Sequence, residues 1–493
     1  MGTIQRQGII NTLIIYAGVI LGFYNTICLQ PDKLTTEEVG LARIMVSFGG
    51  FLTTFLMLGS ASMCVRFFPA FRDKEKRHHG IFGLTIMITS IGILIGGLII
   101  FFFREQIKAR YADESPLFVH YFFLAFPIAV VMTLGIAVNS YCNSLLKTTV
   151  TSFMNDIWVR VLLILSTFLY AWHWISLDTF VWSIFFTYAS QFLIVLIIVF
   201  ISDRPGLFVD WKFVRTIGFK KIITFALLLT LTSLSSLSMK FLDTVMIGAY
   251  LPLKFVGIYS IGAFIAQFIE TPLYSLERVA GIKISHSIQA NDLEEVKTIY
   301  YKSVKYLFLV GGFLVACIIT NIHDFLQLLP PDYRDAANVT IIMSVGSIVN
   351  MATGVNSPIL NNSSRYIWGV FFLLVLLIVS VLLNALFIPR FGIEGAAIAT
   401  GLASALYNFA KYIFIVKHFR MQPYDSNSIK TVLIIVVSLC AGLLVPMFGN
   451  VWIRLACRGS MVAVIYAVMT YFLQVVPEFH EKAFALIGIR KKK

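Results

Sequence analysis

Residues 8–29 form the apolar run GIINTLIIYAGVILGFYNTICL, which contains no charged side chain. A helix needs about 20 apolar residues to cross the hydrocarbon core of a bilayer, so this run predicts a membrane-spanning helix. A secretory signal peptide has a shorter apolar region and ends in a small-residue cleavage site, and residues 8–29 have neither feature. We therefore expect the run to be retained as the first span.

Apolar runs of similar length recur along the rest of the sequence. Of the 493 residues, 58% are hydrophobic and 13% are charged, whereas soluble domains carry about 25% charged residues. The sequence therefore predicts an all-α polytopic membrane protein with about 14 transmembrane helices. We place the spans at residues 8–29, 39–64, 80–103, 117–146, 152–174, 179–201, 221–249, 255–285, 299–320, 337–361, 365–388, 392–416, 429–449 and 452–475.

The net charge of +14 raises the question of a nucleic-acid partner, but the basic residues cluster in loops on one side of the predicted membrane. These loops include Arg72–Arg77, Arg204–Lys221 and the tail Arg490–Lys493. Lys and Arg concentrate in cytoplasmic loops of membrane proteins, and they also attract anionic lipid headgroups. We therefore expect a bacterial inner-membrane protein with both termini in the cytoplasm, membrane lipids as partners and no nucleic-acid partner.

The sequence lacks the motifs of several kinds of catalytic and metal-binding site. No G-x-x-x-x-G-K-[ST] or H-E-x-x-H motif occurs, and the six cysteines form no C-x-x-C pair. The hydrophilic stretches are also too short for a catalytic domain. We expect no metal site, no cofactor and no enzymatic activity.

An internal repeat relates the two halves of the chain. The stretch Leu34–Leu41 resembles Leu251–Ile258 at an offset of 217 residues, and the same offset places Asn139 on Asn356. Because each copy would hold six spans, an even number, both copies enter the membrane in the same direction. The repeat is therefore parallel, as in transporters that bind substrate where their two halves meet.

The repeat predicts the domain organisation. We expect two six-helix lobes followed by an extra two-helix hairpin with a basic cytoplasmic tail, with boundaries at residues 1–210, 211–427 and 428–493.

Three segments resemble a known family. Asp243–Gly248, Val256–Ser260 and Phe391–Thr400 are similar to recurring segments of the Wzx-type polysaccharide flippases. These flippases belong to the multidrug/oligosaccharidyl-lipid/polysaccharide exporter superfamily, which also contains the MATE transporters. The resemblance implies a V-shaped pair of lobes and alternating access. It also implies that the cargo is an undecaprenyl diphosphate-linked oligosaccharide, moved to the outer leaflet for polysaccharide, O-antigen or lipopolysaccharide synthesis.

Two departures from related branches bear on the function. Lipid II flippases carry arginines in the first span and some drug exporters carry an acid there, whereas residues 8–29 have neither. Two alternatives stay open: a cation-coupled multidrug exporter of the same superfamily, and a non-transporting scaffold for glycan assembly. H⁺ or Na⁺ is the candidate coupling ion, and the glycan polymerase machinery is a candidate protein partner.

Ionisable and amide side chains within the spans are the candidate site residues, because exposing charge to lipid is costly. The guanidinium group of Arg binds a diphosphate through two parallel charged hydrogen bonds. The candidate cavity residues are Arg43, Lys240, Arg278 and Asn25.

Four further residues are candidates for ion coupling or for structural pairing: Asp243, Glu270, Asp156 and Arg160. Asp156 and Arg160 are spaced i, i+4, with the acid first, which is the favourable order for an ion pair. Lys240 and Asp243 are spaced i, i+3. Glu270 lies two turns before Arg278.

Two other features have ordinary structural interpretations. Lys411 is near a helix end, so we expect it to extend its ammonium group to the membrane surface. We expect His78 and His79, in a basic loop, to be solvated.

Overall fold

The computed structural model describes residues 3–446 and 449–475, although the side chains of residues 3–9, 229 and 232–238 fall outside the description. Within the described ranges the chain is helical and contains no strand. The all-α prediction is therefore confirmed. The basic tail Arg490–Lys493 lies outside the described residues, so its cytoplasmic location stays a prediction.

The chain forms two compact units, Met1–Ser260 and Ile261–Lys493. The first unit contains two π-helical segments, Tyr24–Leu29 and Met154–Trp158, and a short 3₁₀ turn at Arg77–Gly80. Its α-helices are α1 (Thr3–Phe23), α2 (Gln30–Lys33), α3 (Thr36–Leu56), α4 (Ser60–Phe71), α5 (Ile81–Ala112), α6 (Pro116–Ser144), α7 (Thr148–Phe153), α8 (Val159–Ala171), α9 (Leu177–Asp203), α10 (Trp211–Ile217), α11 (Phe219–Tyr250) and α12 (Leu253–Gln267), with the division between the units falling inside α12.

The second unit has 3₁₀ turns at Phe268–Glu270 and Pro331–Tyr333. Its α-helices are α13 (Thr271–Gln289), α14 (Leu293–Leu326), α15 (Ala336–Ala352), α16 (Asn356–Asn362), α17 (Tyr366–Phe419), α18 (Ser426–Leu444) and α19 (Val451–Phe472).

Twelve helices among the described residues are long and apolar enough to cross a membrane, against the 14 spans that the sequence predicts. The predicted seventh span corresponds to α11, which is not among the twelve. The predicted eleventh and twelfth spans are joined in α17, a run of 54 residues that contains Pro389 and is interrupted at Gly392, where φ is 61°. A multi-pass membrane protein is confirmed, while the count of 14 stays a prediction.

The continuous second and tenth spans of the sequence prediction are wrong. The second span breaks between α3 and α4 at Leu58 and Gly59, which both have positive φ. A Cβ atom at Gly59 would lie 2.0 Å from the carbonyl oxygen of Ala226, so the break lets two backbones approach closely. The tenth span breaks at Gly354, whereas the eighth continues through the 3₁₀ turn at Phe268–Glu270 as one helical run, Leu253–Gln289.

The repeated glycine motif has a packing explanation. A Cβ atom at Gly40 would lie 2.0 Å from the carbonyl oxygen of Leu253, and one at Gly257 would lie 2.4 Å from that of Thr36. The two glycines are equivalent positions of the repeat, and each makes room for the backbone next to the other. The motif therefore holds the start of α3 against the start of α12.

Large apolar side chains cover the outer faces of many helices. Phe102, Phe186 and Phe472 are 70%, 60% and 74% exposed. In water such surfaces would favour aggregation, whereas in a bilayer the lipid chains cover them.

Candidate functional site

Arg43 is held by the π-helical segment that ends the first predicted span. Its Nη2 nitrogen donates hydrogen bonds to Thr26 Oγ1 at 2.8 Å and to Gln30 Oε1 at 2.7 Å. Both acceptors are buried, as is Asn25, whose side-chain oxygen has no hydrogen-bond partner among the described residues. π-Helical segments are rare and occur frequently at functional sites. Here the segment aims the Thr26 hydroxyl at an arginine on the neighbouring helix.

Arg160 lies next to a second π-helical segment and pairs with Asp156, as the i, i+4 spacing predicts. Its Nη1 nitrogen is 3.6 Å from the Asp156 carboxylate and donates to the Asp156 carbonyl oxygen at 2.9 Å. The two side chains are 32% and 29% exposed. Gly18 and Gly22 on α1 make room for the guanidinium group, since a Cβ atom at Gly18 would lie 2.3 Å from Nη1.

Two further residues connect these arginines electrostatically. Tyr188 on α9 interacts with both Arg43 and Arg160. Lys240 on α11 is exposed and interacts with Arg160 and Asp156. The first unit therefore brings together three basic side chains and one carboxylate, Asp156. We call Arg43, Arg160, Lys240 and Asp156 the first-unit cluster.

Asp243 takes part in helix packing. It is buried and accepts a hydrogen bond from Tyr259 on α12 at 2.5 Å. The rest of the Asp243–Gly248 motif also packs, since the Gly248 carbonyl oxygen accepts from Ser115 at 2.7 Å. These contacts hold α11 against α12 and against the loop before α6.

In the second unit, Glu270 ends the 3₁₀ turn before α13 and accepts a hydrogen bond from Tyr274 at 2.6 Å. Arg278 is exposed on α13 and makes no ion pair within the described part of the chain. Arg278 therefore stays a candidate that the structure joins to no charged neighbour.

The prediction that Lys411 extends to the membrane surface is wrong. Only 2% of the residue is exposed, and its Nζ donates to Ser357 Oγ at 2.9 Å and lies 4.0 Å from the centre of the Tyr407 ring. The partly buried Glu277 carboxylate lies within electrostatic range of Lys411 and close to Ser357. We call Glu277, Ser357 and Lys411 the second-unit cluster.

The prediction that His78 and His79 are solvated is also wrong. Both are buried: His78 lies 3.2 Å from Asp203, and His79 lies 2.9 Å from Asp210 and stacks on Phe213. The hydrogen bond with His79 lowers the pKa of Asp210, which lies outside the spans. The left-handed backbone at both histidines, with φ of 53° and 46°, turns the rings inward.

The last predicted span carries two arginines that bind one buried acid. Asp324 accepts from Arg454 at 2.9 Å and from Arg458 at 2.6 Å. The spacing of the arginines, i and i+4 in an apolar run, is a signal in the sequence for a shared partner. The contact fastens α19 to α14 inside the second unit.

No group of three or more His, Cys, Asp or Glu residues could hold a metal ion in the described ranges. The site candidates are therefore charged and amide side chains that can bind a ligand directly. An array of apolar helices that carry such side chains defines a multi-pass membrane protein.

The family is shown by sequence comparison. Residues 4–275, more than half of the chain, match the family described as polysaccharide biosynthesis protein, so the chain belongs to that family. Residues 229–386 match the MatE family. No protein of curated function matches the sequence.

Solved structures share the fold. The lipid II flippase MurJ in an inward closed conformation superposes with a TM-score of 0.76 at 16% identity, covering 94% of this chain and 99% of that one. An inward-facing MATE family multidrug resistance transporter of the MOP superfamily superposes with a TM-score of 0.61 at 15% identity, covering 83% of this chain and 94% of that one. A Vibrio cholerae MATE transporter superposes with a TM-score of 0.52 at 12% identity, covering 85% of this chain and 98% of that one.

These comparisons confirm the resemblance to the exporter superfamily. The matching families and folds are those of flippases and transporters, so the protein is not an enzyme. At these identities the solved structures establish the fold alone.

Proposed function

We propose that this protein moves an undecaprenyl diphosphate-linked oligosaccharide from the inner to the outer leaflet of the bacterial inner membrane, for polysaccharide synthesis. The two proposed lobes, residues 1–210 and 211–427, alternate access to the cargo, and both termini are cytoplasmic. Membership of the polysaccharide biosynthesis protein family supports the glycan cargo.

The first-unit cluster is the observation that carries this proposal. It contains three basic side chains and the carboxylate of Asp156, within helices that are mainly apolar. Excess positive charge at membrane depth is costly unless a counter-charge is supplied. A diphosphate supplies that charge, and an arginine fork binds its oxygens through paired hydrogen bonds.

Arg43 is the proposed principal diphosphate ligand. Its hydrogen bonds to Thr26 and Gln30 both leave from Nη2, which fixes the orientation of the guanidinium plane. Arg160 is partly neutralised by Asp156, and Lys240 adds an exposed point charge. A few cations of unequal strength suit a carrier, because the cargo must also be released.

The remaining candidate residues have separate proposed roles. Arg278, exposed on α13, is the proposed cationic residue of the second unit, and Asn25, buried in the first unit, contributes an amide to the binding region. Asp243 and Glu270, which accept hydrogen bonds from tyrosines, serve helix packing or ion coupling. H⁺ or Na⁺ is the proposed coupling ion, and the glycan polymerase machinery is a proposed partner.

A cation-coupled multidrug exporter is the second candidate function, because residues 229–386 match the MatE family. Such an exporter binds cationic or apolar compounds, which an excess of basic side chains would repel. The charge balance of the first-unit cluster therefore favours the anionic cargo.

Reconstitution separates the two functions. Purified protein in liposomes would be given a fluorescent polyprenyl diphosphate-linked sugar and, separately, a cationic dye. We expect protein-dependent movement of the lipid-linked sugar between leaflets and no gradient-driven accumulation of dye. Dye transport without movement of the lipid-linked sugar would contradict the proposed function.

A further inference from the structure

A cavity of about 550 Å³ lies within the first unit, between α4, the end of α6 and the π-helical segment Met154–Trp158. This volume lies in the range of roughly 300–1,000 Å³ that small-molecule sites occupy. Three asparagine amides line the cavity, together with Arg66 and with the apolar side chains of Val65 and Ile136. The asparagines are Asn139, Asn143 and Asn155.

Asn139 provides an unused acceptor in this cavity. The residue is only 8% exposed, and its amide nitrogen donates to Asn155 Oδ1 at 3.3 Å. Its side-chain oxygen is buried and has no hydrogen-bond partner among the described residues. Leaving a buried polar atom unpaired costs about 1–3 kcal/mol. A ligand hydroxyl that donates to this oxygen would remove the cost.

The other two amides are held in place by neighbours outside the cavity lining. Gln191 on α9 donates to Asn155, and Thr151 on α7 donates to Asn143 Oδ1 at 2.6 Å. Because these bonds fix the amide planes, the remaining donors and acceptors point in set directions. Fixed polar groups of this kind give orientation and specificity to a small-molecule site.

A cavity in the second unit shows that such a lining is not a general property of the fold. That cavity has a volume of about 380 Å³ and is lined mainly by apolar and aromatic side chains, including Phe308, Ile348 and Phe409. No asparagine lines it. The amide-rich lining therefore distinguishes the first-unit cavity from this second-unit cavity.

The first-unit cavity also adjoins the charged cluster along the chain. Asn155, which lines the cavity, is followed directly by Asp156, the ion-pair partner of Arg160. A ligand with a diphosphate at the cluster could therefore place its adjoining sugar among the amides.

We propose that this cavity binds a sugar residue of the glycan, through hydrogen bonds from its hydroxyls to Asn139, Asn143 and Asn155. The apolar side chains of Val65 and Ile136 cover the C–H face of the sugar ring. The inference rests on the proposed function, because it takes the sugar to be attached to the diphosphate.

The test fills the cavity without removing a hydrogen bond. Ala61 lines the cavity, and Ala61→Phe would occupy its space. Ala405→Phe, in the apolar cavity of the second unit, is the matched control. The probes are short-chain polyprenyl diphosphates that carry one hexose, one N-acetylhexosamine, one hexuronic acid or no sugar. Binding to the full-length purified chain would be measured at equilibrium, after size-exclusion chromatography has shown that each variant is folded.

We expect the wild type to bind at least one sugar-bearing probe more tightly than the sugar-free diphosphate. Ala61→Phe should weaken binding of that sugar-bearing probe roughly tenfold and leave binding of the sugar-free diphosphate unchanged, while Ala405→Phe should change neither affinity. Equal wild-type affinity for all four probes would overturn the sugar site and leave the proposed function standing. Failure of the wild type to bind any of them would overturn both. If Ala61→Phe does not unfold the chain yet weakens all probes equally, the sugar site is likewise overturned.

Discussion

The two units hold their charged side chains in contrasting ways. In the first-unit cluster, Arg160 and Lys240 interact with the carboxylate of Asp156, Arg43 interacts with the same tyrosine as Arg160, and the Asp156–Arg160 pair is about a third exposed. In the second-unit cluster, one ammonium group and one carboxylate balance each other around Ser357, and Lys411 is 2% exposed. One region has excess, accessible charge, whereas the other has balanced, enclosed charge.

We propose that this difference separates a ligand site in the first unit from a structural site in the second. A buried pair that satisfies itself contributes little to ligand binding, but removing one partner leaves a costly buried charge. An excess of accessible cations contributes little to stability and attracts an anion instead. We therefore expect substitutions of the basic residues in the first-unit cluster to change transport, and substitutions in the second-unit cluster to change the amount of folded protein.

Arg43→Ala should give the largest effect. We expect glycan export to fall at least roughly tenfold with little change in protein abundance, because a bidentate contact to the diphosphate is lost. Arg43→Lys should keep partial export, since the charge remains without the fork. Surface glycan in a deletion strain, divided by protein abundance in the membrane, is the measurement. Arg104→Ala, at an exposed arginine, is the control. Normal export by Arg43→Ala would remove Arg43 from the binding site.

Lys411→Ala should act on stability instead. The substitution removes a buried ammonium group and its hydrogen bond to Ser357, and it leaves Glu277 without the positive charge of Lys411, so we expect low abundance and a lower melting temperature. The double substitution Glu277→Gln with Lys411→Met should recover most of the loss, because no unpaired charge remains. Lys417→Ala, at an exposed lysine on the same helix, is the control. A Lys411→Ala protein of normal abundance and low export would instead make the second-unit cluster part of the transport mechanism.

Asp156→Ala should have an intermediate effect on stability. The pair with Arg160 is partly exposed, and such pairs are worth about 1 kcal/mol or less, so the loss should be smaller than for Lys411→Ala. Thermal melts of the purified variants would rank the two. A larger loss for Asp156→Ala would mean that the first-unit cluster is the more important structural element.

The contact between His79 and Asp210 should give the smallest effect, because Asp210 is exposed outside the spans. Its pKa is lowered in the folded state, so the contribution to stability is complete above the unfolded value of about 3.9 and is lost at lower pH. At pH 5 the wild type should have a higher melting temperature than Asp210→Asn. The difference should shrink below about pH 4. A difference that instead grows at low pH would contradict this assignment.

The sequence predicts helices and local pairs better than it predicts enclosed contacts. Apolar runs indicate spans, and the i, i+4 spacing of Asp156 and Arg160 predicts their pair, because both depend on neighbours along one helix. Lys411 was wrongly assigned because its partners lie on other helices: Ser357 is on α16 and Glu277 on α13.

The breaks in the spans and the burial of the histidines have a similar origin. Positive φ at Leu58 accompanies packing of the chain against α11, and positive φ at His78 accompanies its contact with Asp203 at the end of α9. Neither residue type requires a positive φ. The repeat also relates positions at which the two copies have different residues. Gln191 and Asn408 are equivalent by the 217-residue offset. Gln191 donates to Asn155, which also accepts from Asn139, and Asn408 accepts from Asn356, the equivalent of Asn139.

Binding of a sugar-free polyprenyl diphosphate shows whether the first-unit cluster holds the diphosphate. A short-chain polyprenyl diphosphate would be titrated into purified wild type, Arg43→Ala and Arg104→Ala proteins at low and high salt. We expect Arg43→Ala to bind the diphosphate at least roughly tenfold more weakly than wild type and to lose less affinity at high salt. Arg104→Ala should bind with the affinity of wild type. Equal affinity of wild type and Arg43→Ala, with the same salt dependence, would contradict the claim that the first-unit cluster binds the diphosphate.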